Sequence, residues 1–263
     1  DTQHFLRRKI PPSLYYKART FSRQHPLLFL PLARRQWQRW REKHCIDITG
    51  IEPAAPQPLT HDTEIVIEGF PRTANTFAYI AFKYAQNRPV KVGHHTHAAA
   101  QVIAGVKQNL PTVVLIRDPE AAVISYLIGG FDPGISMKQV IYDYIAFYKP
   151  ILPYRDRYIL ASFEAITQDY GAVIRRVNEK FGTQFQEFDH TKENVKECFE
   201  LIDQGYQKFF GQLKESVACR PSESRKVYKE SLKQQFYSEN LAKLRTQGYD
   251  LFNRLQLNRL KQN

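Results

Sequence analysis

From Glu64 onward, short apolar runs alternate with segments whose apolar residues recur at helical spacing. Ile65–Glu68 reads as a strand, and Phe77–Ala85 as a helix with Phe77, Ile80, Ala81 and Tyr84 on one face. Val90–Gly93 reads as a second strand, and Ala98–Gln108 as a helix carrying Val102, Ile103 and Val106. Thr112–Arg117 is apolar and β-branched almost throughout, the pattern of a strand buried on both faces. Helices are expected over Pro119–Ile128, Met137–Tyr148 and Tyr170–Phe181, with a fourth strand at Tyr158–Phe163. After Phe181 the pattern is helical, with helices expected at Thr191–Leu201 and Val227–Leu244. Strands separated by helices of this length imply βαβ units. The expected fold is therefore α/β: a central parallel β-sheet with helices on both faces and a helical C-terminal part.

The first 60 residues differ in character. Positions 1–50 hold eleven Lys and Arg against three Asp and Glu, which is +8 of the chain's formal +12, with aromatics interleaved. Arg34–Lys43 reads as a basic helix, and Pro53–Pro58 as a Pro-rich linker. Residues 1–60 are thus expected as a basic helical extension plus linker, and 61–263 as the α/β domain. The basic helix has two readings: a solvated helix packed through Trp37 and Trp40, or a contact surface for anionic membrane or acidic polymer. The positive charge favours anionic partners generally; nucleic acid is not among those expected. Cys45, Cys198 and Cys219 are odd in number and far apart, which suits a reducing compartment; the expected setting is cytoplasmic, with peripheral membrane contact through the basic N-terminus as its variant. No apolar run approaches the ~20 residues of a membrane span, and no stretch has the form of a secretory signal.

Ligands of open parallel sheets bind beyond the carboxyl ends of the strands, and four strand ends here carry polar or charged residues. The first strand runs into Gly69-Phe70-Pro71-Arg72-Thr73-Ala74-Asn75-Thr76-Phe77, a strand-loop-helix phosphate cradle in outline. Gly69 and Thr76 stand where a nucleotide P-loop has its first glycine and last hydroxyl, but Ala74-Asn75 replace its Gly-Lys pair. The second strand leads into His94, His95, Thr96 and His97. The third leads into Arg117-Asp118-Pro119, with Ser125 two turns into the next helix. The fourth leads into Phe163-Glu164. No carboxylate or cysteine supports the histidines at metal-ligand spacing, so no metal is expected.

Together, over about Glu64 to Phe181, these motifs resemble the sulfotransferases that use 3′-phosphoadenosine 5′-phosphosulfate (PAPS). That family's first loop reads Pro-Lys/Arg-Ser-Gly-Thr-Thr; here it reads Pro71-Arg72-Thr73-Ala74-Asn75-Thr76. The resemblance implies that Arg72 to Thr76 hold the 5′-phosphosulfate, and that Arg117 and Ser125 hold the 3′-phosphate. Phe77 and Phe163 would lie against the adenine. His97, in a Thr-His pair, would be the catalytic base, with His95 or Glu68 next in line, and Arg72 would meet charge developing on the bridging oxygen. Arg220, Arg225 and Lys226 are the loose counterpart of a late basic motif. The implied activity is sulfuryl transfer from PAPS to a hydroxyl of a small molecule, lipid or carbohydrate, leaving PAP. Acceptor choice is expected from the loops Gly129–Ser136 and Glu187–Gly211. The departures are Ala74, which needs either negative φ or strain, and Asn75. Two other readings remain: a small-molecule kinase with a variant loop, for which Asp118 is the sole Mg²⁺ candidate, and a non-catalytic nucleotide- or polyanion-binding protein. Oligomeric state is left open.

Overall fold

The computed structural model describes residues 11–44, 56–130, 132, 134–210 and 226–257. The strands β1 (Ile65–Gly69), β2 (Val92–His94), β3 (Thr112–Ile116) and β4 (Ile159–Ser162) form one parallel sheet in the order β2-β1-β3-β4. Every residue of the four strands is buried, as their apolar runs require. The order reverses between β1 and β3, so the crevice for a ligand opens beyond Gly69 and Ile116.

Alternate residues of each strand feed two cores. Ile65, Ile67, Val113, Leu115, Ile159 and Ala161 face one way, towards α3 (Asn75–Ala85), α8 (Tyr170–Phe181) and α9 (Lys192–Phe210). Val114, Ile116 and Leu160 face the other way. There they meet α4 (Ala99–Lys107), α5 (Pro119–Gly129), α6 (Met137–Tyr148) and α11 (Ala242–Leu257). The expected α/β class holds.

Several element boundaries differ from the sequence reading. β4 stops at Ser162, whose side chain accepts from Ala165 N and caps α7 (Phe163–Gln168), so Phe163 opens a helix rather than ending a strand. The single helix expected over Val227–Leu244 is broken. α10 (Lys226–Phe236) ends where Ser238 Oγ donates to Gln235 O, and a 3₁₀ turn at Glu239–Leu241 leads into α11. The bend lets Phe236, Leu241, Leu251 and Leu255 bury in the same core.

The N-terminal region forms two helices. α1 (Pro12–Ser22) was not anticipated; α2 (Pro26–His44) includes the expected basic helix but starts earlier and runs through Pro31. α2 buries Leu30, while Leu27, Leu28 and Leu32 are exposed, with the basic Arg35 and Arg39 further along the helix. The Pro-rich stretch is described from Pro56 onward. There Gln57 bridges His94 antiparallel to it, and Leu59, fully buried, donates its N–H to Gln101 Oε1 (2.8 Å). No described helix is long and apolar enough to cross a membrane. Cys198 is buried and its thiol is pushed up to about 12, while Cys45 and Cys219 lie outside the described residues.

Candidate functional site

Gly69 ends β1 at a point that excludes any side chain: a Cβ there would sit 2.5 Å from Thr73 Oγ1 and 2.8 Å from Leu115 Cβ. The loop after it folds tightly back on itself. Thr73 Oγ1 and Asn75 Nδ2 both donate to Phe70 O (2.8 and 2.9 Å), and Asn75 Nδ2 also reaches Thr73 Oγ1 (3.0 Å). Asn75 thus closes the loop from inside. Arg72 and Ala74 pay for this turn with left-handed backbones, at φ 71° and 70°.

Ala74 is also the N-cap of α3, where it offers no side-chain acceptor, and no acid lies in the helix's first turn. The first-turn N–H groups and the positive end of the helix dipole are therefore left without local anionic compensation. Four of the five non-glycine residues with positive φ among the described residues belong to this region: Arg72, Ala74, His95 and His97. Such backbones cost on the order of 1–3 kcal/mol each and cluster at functional sites.

Two arginines and a serine converge beside this helix end. Arg72 Nε donates to Ser125 Oγ (2.9 Å), and Arg117 Nη1 donates to Arg72 O (3.1 Å). The Arg117 guanidinium carbon lies 3.9 Å from the Phe163 ring centroid, a cation–π contact. Burial and the nearby Arg72 charge lower the Arg117 pKa. Tyr144 and Tyr148 of α6 hold the end of β3 from below, donating to Arg117 O (2.9 Å) and Leu115 O (2.7 Å). Asp118 caps α5 by accepting from Ala121 N (3.0 Å).

The histidine loop is pinned by Glu68, a fully buried carboxyl on β1. Glu68 Oε1 accepts from Gly69 N and His97 N (both 3.1 Å); Oε2 accepts from Thr96 N (2.9 Å), Thr96 Oγ1 (2.7 Å) and Gln101 Nε2 (3.1 Å). Burial raises its pKa to about 7 against the pull of those hydrogen bonds. His97 Nδ1 lies 2.9 Å from Gly69 O. A carbonyl can only accept, so Nδ1 carries the proton and Nε2 keeps the lone pair. Burial lowers the His97 pKa to about 4, with the Arg23 charge adding to it, so the ring is neutral at pH 7.

His95 Nε2 pairs with Thr76 Oγ1 (3.1 Å) and its Nδ1 with His94 Nδ1 (2.6 Å); burial brings His95 to about 3. His94 stacks on Tyr79 at 3.7 Å. Among the described residues no group of three His, Cys, Asp or Glu is placed to hold a metal ion.

The structure therefore brings Arg72, Thr73, Ala74, Asn75, Thr76, Arg117, Ser125, His95 and His97 to one edge of the sheet. It buries Phe77 in the core beside Phe199 (5.5 Å) and Phe188 (6.1 Å), and it uses Phe163 as a platform for Arg117. Arg220 and Arg225 lie outside the described residues; Lys226 begins α10, and its side chain lies outside them too. The sequence reading missed the supporting tyrosines and the role of Glu68 as a pin. The signal for Glu68 was an acid inside a strand that is otherwise apolar.

A narrow cleft opens beside His97, between Phe70-Pro71, α1 and α6. None of the described residues of Gly129–Ser136 lines this cleft, and Asp132 accepts from Arg19 (3.0 Å) and Tyr16 (3.3 Å) of α1. Glu187–Gly211 was the other loop expected to choose the acceptor. Its Phe188 packs against Phe77, and Glu197 accepts from Tyr84 Oη (2.5 Å).

No family model and no curated protein matches this chain. Among solved structures, a mouse sulfotransferase complexed with PAP is similar at 6% identity and a TM-score of 0.39, over 80% of this chain and 93% of that one.

Proposed function

We propose that this chain is a PAPS-dependent sulfotransferase acting on a hydroxyl acceptor. The observation that supports the reading is the convergence of Arg72, Ser125 and Arg117 on an uncapped helix N-terminus at the sheet's switch point. PAPS carries anionic groups at both ends of its ribose, and this arrangement offers two cationic stations. Arg72, Thr73, Asn75, Thr76 and the first-turn N–H groups of α3 suit the 5′-phosphosulfate. Arg117, in contact with the Phe163 ring, suits the 3′-phosphate. Ser125 Oγ accepts from Arg72, and its own proton has no acceptor among the described residues, so it remains for an anion.

In the reaction so read, an acceptor oxygen forms a bond to sulfur while the bond from sulfur to the 5′-phosphate oxygen breaks. His97 Nε2 takes the acceptor's proton, its tautomer set by Gly69 O. Arg72 and the helix end meet the negative charge that gathers on the departing phosphate oxygen.

The test is a split measurement. His97→Ala is expected to bind PAP with unchanged affinity and to lose about 10²–10⁴-fold in turnover of labelled PAPS with an acceptor panel. Undiminished turnover would move the base away from His97. Tight PAP binding with no transfer by the wild type, to any acceptor, would leave a nucleotide-binding protein in place of an enzyme.

A further inference from the structure

One side of α2 holds it to the body of the protein. Leu30 is buried with Leu59, Val66 and Ala104, and Arg34 Nε donates to Leu59 O (2.6 Å). α1 leads into α2 through a short turn and is itself fixed by the pairing of Arg19 with Asp132 (3.0 Å) and Asp143. The exposed side of α2 carries Leu28, Leu32, Arg35 and Arg39, spaced so that the four form one stripe along the helix.

The first half of that stripe is apolar. Leu28 is 50% exposed and Leu32 57%, and Leu27 before them is 91% exposed. α1 adds exposed Leu14 and Phe21, and the Phe21 ring lies 4.3 Å from that of His25, one residue before α2. Nine large hydrophobic residues are exposed among the described residues, and these five are all Leu or Phe. Three of the other four are tyrosines, whose hydroxyls suit water. The second half of the stripe is basic. Residues 11–44 hold eight Lys and Arg against a single acid, Glu42, which accepts from Gln38 Nε2 (3.1 Å).

The two halves together select the partner. Exposed leucines gain nothing from an acidic polymer in water, and a second copy of this chain would bring the same excess of positive charge. A bilayer with anionic headgroups suits both halves, because leucine side chains reach the acyl boundary while arginines on the same face meet lipid phosphates. We propose that α1 and α2 dock the protein on an anionic bilayer surface, with Leu27, Leu28 and Leu32 entering the interface and Arg35 and Arg39 on the headgroups. The docking is peripheral, and it does not depend on the sulfotransferase reading.

Flotation of the full chain tests this with two vesicles, phosphatidylcholine alone and equal parts phosphatidylcholine and phosphatidylglycerol. Wild type is expected to bind the mixed vesicles at least about tenfold more tightly than the neutral ones, at about fivefold per arginine. Added salt should weaken that binding. Arg35→Gln with Arg39→Gln, and separately Leu28→Ser with Leu32→Ser, should each weaken it about tenfold or more. Both pairs lie on the exposed side, so Tm should stay at the wild-type value. Leu27→Ser should weaken binding too, and it decides the apolar part should the leucine pair fail to fold. Lys180→Gln, on α8 across the sheet, should bind as wild type does. Absence of wild-type binding to the mixed vesicles overturns the proposal. Wild-type binding by the leucine variants also overturns it and leaves a polyanion surface. A comparable loss in Lys180→Gln overturns it in favour of net charge alone. A dimer in light scattering that the leucine pair abolishes, with no vesicle binding, overturns it in favour of a second copy.

Discussion

Ala74→Gly should stabilise the protein, against the usual effect of introducing glycine. Ala74 sits at φ 70° and ψ 23°, in the left-handed region, and N-caps α3 without a side-chain acceptor. That conformation costs an L-residue roughly 1–2 kcal/mol, and glycine is the better N-cap of the two by roughly 0.5 kcal/mol or more. Two terms oppose the gain. Glycine loses about 0.5–1 kcal/mol more backbone entropy on folding. The Ala74 methyl, partly buried against the core, is worth at most about 0.8 kcal/mol. The balance is a stabilisation of about 0.5–1 kcal/mol, or about 2 °C in Tm for a chain of this size. Urea denaturation at fixed pH reads it as a raised midpoint with unchanged slope. Ala78→Gly, one turn further into α3, is the control and should destabilise by about 1 kcal/mol or more. A lowered midpoint for Ala74→Gly would show that the loop is not strained at that residue.

Three further outcomes follow from the site. Glu68→Gln keeps the shape but replaces one acceptor oxygen by an NH₂ facing donors, leaving two or three of the five buried donors unpaired. At about 1–3 kcal/mol each, a loss on the order of 3 kcal/mol is expected in urea; wild-type stability would mean those bonds contribute nothing. Arg117→Lys gives up the guanidinium's fork of donors and its contact with the Phe163 ring, so PAP affinity should fall about tenfold or more while Tm barely moves; unchanged affinity would place the nucleotide elsewhere.

The pH response has opposing parts. His95 and His97 stay neutral when folded down to about 3 and about 4, whereas the unfolded chain protonates them near 6.5, so they remove stability as pH falls from 6.5. Glu68, raised to about 7, contributes stability that is full below about 4.5 and is lost as pH rises through 7. With two histidines against one carboxyl, Tm should drop between pH 6.5 and 4. A Tm that rises on acidification would contradict neutral, buried histidines.

The sheet was legible because strands buried on both faces are apolar at every position, as in Thr112–Ile116. The helices Met137–Tyr148 and Tyr170–Phe181 end where expected because Ser136 and Asp169 cap their starts and Gly182 closes the second in the left-handed region. The approach of Arg72, Arg117 and Ser125 was legible for a topological reason: adjacent parallel strands put their carboxyl ends side by side. What could not be read is how those side chains pair. Arg117 on Phe163 and Arg72 on Ser125 join segments 46 and 53 residues apart, and no local pattern encodes them. The part played by α1 was hidden likewise. Arg19 looks like any basic surface residue until Asp143, 124 residues further on, pairs with it. The break after Phe236 depends on which leucines find the core, which periodicity alone does not decide.

The central claim is that the strand-end arginines form a two-ended site for PAPS, and calorimetric titration with PAP against ATP plus Mg²⁺ tests it most directly. PAP is expected to bind at one site per chain, without need of a divalent ion. Arg72→Ala and Arg117→Ala should each weaken it, and Tm should rise with PAP concentration. Binding of ATP only with Mg²⁺, or PAP affinity indifferent to both arginines, would contradict the account.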